Sequence, residues 1–443
     1  MTYDPLYSLN PANQGWPDSY WASTVKPSTD MRVLGRDRRV DVAIIGGGYT
    51  GLLTAYYLVS LYGIDCCVLE ANQIGFGASG RNAGFVLKGS GRLSYPQMHK
   101  KWGMEVTKGI YLEFTDAVTR VEQLIHEQHI DCEKQASGYL KIAHNPKAFE
   151  KLRRSSAFIT AHLGEDATLL SNDELKAAYM DNRQACGALR LADGFGVNPL
   201  KLLLGYRSML DRLGVDVYES SCVLQWKKGM QGHHLITENG SVLAKQVISA
   251  GNAYTPKVFQ PEIDERFLPI LSNIIVTEPL SAEQLKETGL MTHQVIMDTR
   301  LLKYYYRLLP DNRLLFGGRG AVSGKAADQP IYGQHLKRAM SDCFPCLADC
   351  AIEYNWTGWI AAALDDMPHV FQRDGMGYSL GYCGAGVAFS AQAAFRLAQS
   401  LAGETLPALP LYQQPLSRFP YARFRRLGQR GYYHYAWLKD RYF

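Results

Sequence analysis

The chain has 443 residues, 47% of them hydrophobic and 20% charged, with 47 Lys and Arg against 42 Asp and Glu and a formal net charge of +5. This composition excludes disorder, a collagen-like repeat and a small disulfide scaffold; at about 150 residues per domain, the length suggests two or three domains with a cleft between them. The charge is uneven: residues 416–443 hold seven basic residues and one acidic one, Asp440, a local +6, and the rest of the chain is close to neutral at −1.

No stretch approaches the roughly 18 uninterrupted apolar residues of a membrane span. Met1-Thr2-Tyr3-Asp4-Pro5 lacks the basic start and apolar run of a secretory signal, so a soluble cytoplasmic protein is the default expectation. An odd number of cysteines, nine, with Cys66 and Cys67 adjacent in a predicted strand, fits reduced thiols. The first 35 residues, with Trp16, Trp21 and Pro27, read as an aromatic, Pro-punctuated arm lying on the surface of the fold.

Val40–Ile45 is a nearly continuous apolar run, as in a parallel strand buried on both faces. Gly46-Gly47-Gly48-Tyr49-Thr50-Gly51 follows, then apolar residues at helical spacing from Leu52, and then the run Cys66–Leu69 ending in Glu70. This is a βαβ unit with Gly46, Gly48 and Gly51 in the G-x-G-x-x-G positions: the first for a tight turn, the second for approach to a pyrophosphate, the third for helix–strand packing. The helix N-terminus at Tyr49 and Thr50 offers amides to phosphate. Glu70, next to Ala71, stands where a carboxylate accepts from a ribose diol, which disfavours a 2′-phosphate. A second glycine-rich loop, Gly75-Phe76-Gly77-Ala78-Ser79-Gly80-Arg81-Asn82-Ala83-Gly84, comes directly after that strand and supplies a further nest with an Arg charge; this favours FAD over NAD.

These two loops resemble the D-amino-acid-oxidase-type flavoproteins, and within them the γ-glutamylputrescine oxidoreductase branch, related to the sarcosine oxidases. Ala250–Tyr254, Tyr305–Leu308, Asp311–Gly318, Trp356–Gly358 and Gly381–Val387 match as well. The resemblance implies a class of α/β plus β: a discontinuous Rossmann-like FAD-binding domain (36–95, 190–255, 355–403) and an antiparallel-sheet substrate domain (96–189, 256–354), followed by a basic aromatic tail (404–443). It implies that the Val223 backbone pairs with adenine, that Ala250, Gly251 and Gly358 lie near the cofactor, and that Gly381, Gly384, Ala385, Gly386 and Val387 open a helix toward the flavin, where its dipole stabilises the reduced ring. No Cys or His stands at the flavin-attachment positions of relatives, so the FAD is expected to be non-covalent, with Cys383 close by.

Local patterns agree. Asn198-Pro199 starts and Gly214 stops a helix over 200–213, and 215–218 and 221–224 alternate like strands. The chemistry then belongs mainly to the flavin: oxidation of a CH–NH bond in an amine or amino acid, γ-glutamylputrescine-like or otherwise polyamine-derived. Tyr305, Arg307 and Trp359 are the candidate catalytic residues. In Lys303–Arg307, alternation sets Tyr304 and Tyr306 on one face and Tyr305 and Arg307 on the other. A secondary or cyclic amino acid held by Arg307 or Arg92 is the alternative substrate. Relatives carry a lysine in the segment matching 314–317 and another at the position of Ala388, and the γ-glutamylputrescine branch has Gly-His-Gly at 384–386; this chain has none of these. The electron acceptor, oxygen or a quinone, is therefore open.

Cys343-x-x-Cys346-x-x-x-Cys350 lacks a fourth ligand, and no metal is expected. In the tail, basic residues alternate with aromatics (Arg418–Arg426, Gly431–Arg441). Docking on the protein itself is the favoured reading; a peripheral membrane contact through 416–443 stays open, and a nucleic-acid partner is not expected.

Overall fold

The computed structural model describes residues 3–26, 31–90, 92–255 and 263–442; Pro27 of the arm lies outside them. Strand Arg38–Ile45 forms the middle of an eight-stranded sheet, paired in parallel with Ser241–Ser249 on one side and Cys66–Leu69 on the other. Asp216–Tyr218 and Met376–Leu380 extend it in parallel. Side chains alternate between two cores: Val42 and Ile44 pack under helices Tyr49–Tyr62 and Gly386–Leu401, whereas Ala43 and Ile45 meet Leu69, Val223 and Val247 on the opposite face. Burial on both faces is why the run 42–45 is apolar without a gap.

The second sheet has eight strands in the order Ile352–Ala362, Leu268–Pro279, Arg313–Arg319, Tyr305–Leu308, Val295–Asp298, Tyr139–Ile142, Ala188–Leu191 and Ala167–Leu170. One face buries Leu140, Ile275, Ile296, Tyr306 and Phe316 against helix Pro330–Cys343. The sheet is not purely antiparallel, because Val295–Asp298 runs parallel to Tyr139–Ile142. These two strands are distant in sequence, so no hairpin constrains their direction.

Four expectations need correction. The boundary at 355 cuts strand Ile352–Ala362, whose partners belong to the second sheet, and the boundary at 190 cuts Ala188–Leu191 likewise. Helix Tyr95–Glu127, inside the segment given to the substrate domain, packs instead on helix Gly386–Leu401 of the first sheet: Phe114 stacks edge-on against Phe389 and Glu113 pairs with Arg396. Residues 221–224 are irregular, since the Ser221 N–H donates to the Glu70 carbonyl at 2.8 Å and strand pairing begins only at Gln225. The arm is not confined to the surface: Trp21 is 0% exposed, with its indole N–H donating to the Asn82 carbonyl at 2.8 Å. Elsewhere the local signals hold. Asn198 caps helix Pro199–Arg212, and Gly214 takes φ +70° just past its end.

Candidate functional site

Two cavities meet between the sheets. The first is framed by the βαβ turn, the loop after Glu70 and the start of helix Gly386–Leu401. Gly46 has φ +111°, and a Cβ there would stand 2.9 Å from the Ala250 carbonyl carbon. At Gly51 a Cβ would meet the Gly46 carbonyl oxygen at 1.9 Å, so the helix touches the turn backbone to backbone. Glu70 accepts from the Gly47 N–H at 2.7 Å and the Asn72 N–H at 3.0 Å. Burial raises the pKa of its carboxyl, and these amides oppose the shift. Ser79 Oγ accepts from the Tyr49 N–H at 3.0 Å, tying the second glycine loop to the first. Asn252 Oδ1 and Thr255 Oγ1 are buried in the wall with no hydrogen-bond partner among the described residues. Buried polar atoms of this kind call for a polar ligand, and a cleft walled by three glycine-rich turns and a ribose-type carboxylate fits a dinucleotide.

Of the residues expected around the cofactor, Gly46, Gly48, Tyr49, Thr50, Glu70, Ala71, Gly77, Ala78, Ser79, Asn82, Val223, Ala250, Gly251, Gly384, Gly386 and Val387 line this cavity. Arg81, Ala83, Gly358 and Ala385 line the second cavity instead. Arg81 is a correction in role as well as place: its guanidinium lies 4.6 Å from the Phe76 ring and donates to the Phe76 and Thr357 carbonyls, so it braces the wall and does not face the phosphate turn. Gly51, Gly84 and Gly381 line neither cavity. Gly84 (φ +73°) and Gly381 (φ +85°) shape the turns behind them.

The second cavity, about 220 Å³, joins the first at Ala78, Asn82, Ile360, Gly384 and Val387. Tyr305, Met297 and Lys141 present one row of the second sheet to it. Alternation in the sequence assigns these faces correctly, since Tyr306 stacks on Phe316 in the core behind. The Tyr305 hydroxyl bonds Ser272 at 2.5 Å.

Arg307 corrects the sequence reading. It is 1% exposed and absent from both cavity walls; its guanidinium donates to the Ala83 carbonyl at 3.2 Å, the Val197 carbonyl at 2.6 Å and Gln135 Oε1. Burial pulls it down to about 9, so it remains a cation at neutral pH. It clamps two chain segments and cannot hold a substrate carboxylate. Trp359 borders the cavity, but its indole N–H donates to the Tyr3 carbonyl at 3.1 Å and its ring lies 4.9 Å from the Arg426 guanidinium, so it anchors the termini. Cys383 lines the cavity too; burial pushes its thiol up to about 12.

The tail folds back as helix Arg425–Tyr442. Arg426 pairs with Asp4 at 2.7 Å, and the Asp440 carboxylate accepts from the Leu301 and Leu302 N–H groups at 2.8 and 3.0 Å. Between this helix and the second sheet runs a groove of about 530 Å³ whose wall includes Arg92 and Arg319, residues shared with the second cavity. Among the described residues, no group of three or more His, Cys, Asp or Glu side chains is placed to hold a metal ion, and Cys343 is packed in the core of the second sheet. No helix among them is long and apolar enough to cross a membrane.

Residues 41–400 match the family model described as FAD dependent oxidoreductase. The chain belongs to this family. It is 32% identical over 429 residues, 96% of its own length and 98% of the relative's, to γ-glutamylputrescine oxidoreductase of Escherichia coli (strain K12). The fold is also that of glycine oxidase from Geobacillus kaustophilus (TM-score 0.68, 19% identity, 86% of this chain and 100% of that one) and of L-proline dehydrogenase from P. horikoshii (TM-score 0.69, 16% identity, 85% and 96%). The chain is thus an FAD-dependent amine or amino-acid oxidoreductase; the lining of its first cavity fits a dinucleotide, and the second cavity adjoins it.

Sequence reasoning missed Asn252 and Thr255 as orphaned polar groups, and it missed Lys141 and Arg319 in the wall of the second cavity. Lys303 was within the quoted strand segment but was given no role. Only the pairing of distant strands brings these cations together.

Proposed function

We propose that the chain oxidises the CH–NH bond of an ω-amine, γ-glutamylputrescine-like, whose nitrogen sits in the second cavity without its proton. One observation carries this reading: among the described residues, the wall of the cavity that adjoins the first one contains no Asp, Glu or His and six cationic side chains. Such a wall disfavours an ammonium ion and holds no side-chain carboxylate or imidazole base. The protein's share is to exclude water, align the substrate carbon at the junction of the two cavities and keep the amine neutral. Bound FAD supplies the two-electron acceptor. The imine product then hydrolyses to an aldehyde and a free amine.

The cyclic or secondary amino-acid reading needs a cation beside the reacting carbon. Arg307 is committed to the Ala83 and Val197 carbonyls, and Arg92 to Asp366 at 2.9 Å and the Tyr432 hydroxyl at 3.2 Å. The likeness to the Escherichia coli enzyme over nearly the whole chain supports the ω-amine instead. Non-covalent FAD is part of the proposal, supported by a Cys383 thiol that is protonated at neutral pH and donates to the Gly381 carbonyl. The test is anaerobic mixing of the yellow holoenzyme with γ-glutamylputrescine, sarcosine, proline and pipecolate in turn. Bleaching by the first is expected; bleaching confined to the α-amino acids would overturn the assignment.

A further inference from the structure

Helix Arg425–Tyr442 uses one side to hold the tail on the protein and leaves the other side in water. Arg426, Gln429 and Ala436 are buried, and Asp440, the only acidic residue of 416–443, is turned inward onto the Leu301 and Leu302 amides. On the opposite side Leu427, Gly431, Tyr435, Leu438 and Tyr442 succeed one another at steps of four, four, three and four, which is one continuous helical stripe. Leu427 is 66%, Tyr435 53%, Leu438 48% and Tyr442 63% exposed, and Tyr421 and Phe424 just ahead of the helix are exposed too. An apolar stripe of this extent on a soluble surface marks a contact face.

The free charge of the tail lies on the same side. Arg418 pairs with Glu265, Arg426 pairs with Asp4, and Arg425 donates to the Phe267 carbonyl. Arg423, Arg430, Lys439 and Arg441 have no carboxylate partner among the described residues. Helical spacing sets Arg430 and Arg441 along one flank of the stripe and Lys439 along the other. Arg423 lies 4.8 Å from the Phe424 ring and Arg441 5.3 Å from that of Trp437, contacts that leave both guanidinium groups unneutralised.

We propose that this face of the C-terminal helix docks on a membrane surface containing anionic lipids, with the helix lying in the plane of the interface. The inference stands apart from the substrate reading. Leucines flanked by cations match that surface: the apolar stripe enters the boundary between headgroups and acyl chains, the basic side chains meet lipid phosphates, and the rings of Tyr435, Trp437 and Tyr442 suit the same depth. A second copy on the stripe would set Arg430, Lys439 and Arg441 against the same cations, with no acidic residue of the tail free to pair with them. A nucleic acid would leave aliphatic Leu427 and Leu438 with nothing to stack on. Tyr421, Phe424 and Leu427 also wall the groove that shares Arg92 and Arg319 with the second cavity, so the docked protein turns that groove toward lipid.

The experiment floats the full-length holoenzyme with vesicles of phosphatidylcholine alone and of phosphatidylcholine mixed with phosphatidylglycerol. Binding is expected to the mixed vesicles only, and to weaken as salt rises. At about fivefold per basic residue, Arg430→Gln with Arg441→Gln should weaken it about 25-fold. The same loss of charge from the first sheet, Arg39→Gln with Lys227→Gln, should leave it within about twofold. Leu427→Gln with Leu438→Gln should weaken binding without changing its salt dependence. FAD content and melting report that each variant is folded, and all six positions are exposed. Absence of flotation with the mixed vesicles, equal losses in the tail and first-sheet variants, or leucine variants that bind as tightly as the unmodified chain overturn the proposal. A dimer in sedimentation velocity that the leucine variant splits, or retention on duplex DNA, in a chain that does not float gives the face to another partner and overturns it as well.

Discussion

Replacing Arg307 by Met keeps the length and apolar bulk of the side chain and deletes its guanidinium. The Ala83 and Val197 carbonyls and Gln135 Oε1 then lose their donor in a region where Arg307 itself is 1% exposed. Three acceptors at about 1–3 kcal/mol each give a gross loss of about 3–9 kcal/mol. Removing a buried cation returns several kcal/mol of desolvation, so the net loss is about 3 kcal/mol. At about 2.1 cal/mol/K of unfolding entropy per residue, a chain of this length melts with about 0.9 kcal/mol/K, and the midpoint falls by about 3 °C. Scanning calorimetry of the holoenzyme measures the shift. An unmoved midpoint with a tenfold or larger rise in KM confined to carboxylated substrates would refute the clamp and return Arg307 to the substrate.

Gly51→Ala places a methyl 1.9 Å from the Gly46 carbonyl oxygen, so helix Tyr49–Tyr62 must back away from the turn; an overpacking cost of about 1–3 kcal/mol predicts FAD binding weaker by about 5- to 150-fold, read by flavin release on dilution. Asp440→Asn keeps one acceptor oxygen for the Leu301 and Leu302 amides and removes the charge, which should destabilise the tail by about 1 kcal/mol and speed limited proteolysis after residue 415 without altering FAD content.

The cofactor half of the site was legible because its determinants are local. A tight turn, a close helix approach and a terminal carboxylate fall within residues 40–70, and each residue type has a steric or hydrogen-bonding reason to be there. The substrate half was not. Lys141 and Arg319 look like ordinary strand residues until four strands pair, and Arg307 looks like a ligand until Ala83 and Val197, both far from it in sequence, turn their carbonyls toward it. Alternation placed Tyr305 on the right face, but period alone does not say where along that face a cavity ends. Trp21 was misplaced for the same reason: a polar, Pro-rich neighbourhood reads as surface, whereas its ring fills the space beside Trp356 and the Arg307 guanidinium.

The clasp between Asp4 and Arg426, with Trp359 fixed to the Tyr3 carbonyl, bears on the order in which the molecule can be made. The glycine turn at 46–51 leaves the ribosome early, but the wall facing it includes residues 250–255 and 384–390, and the central sheet takes its strand Met376–Leu380 from the last fifth of the chain. Contacts this distant in sequence close late and slowly. A nascent chain therefore exposes a half-built cleft until residues 376–390 have been made.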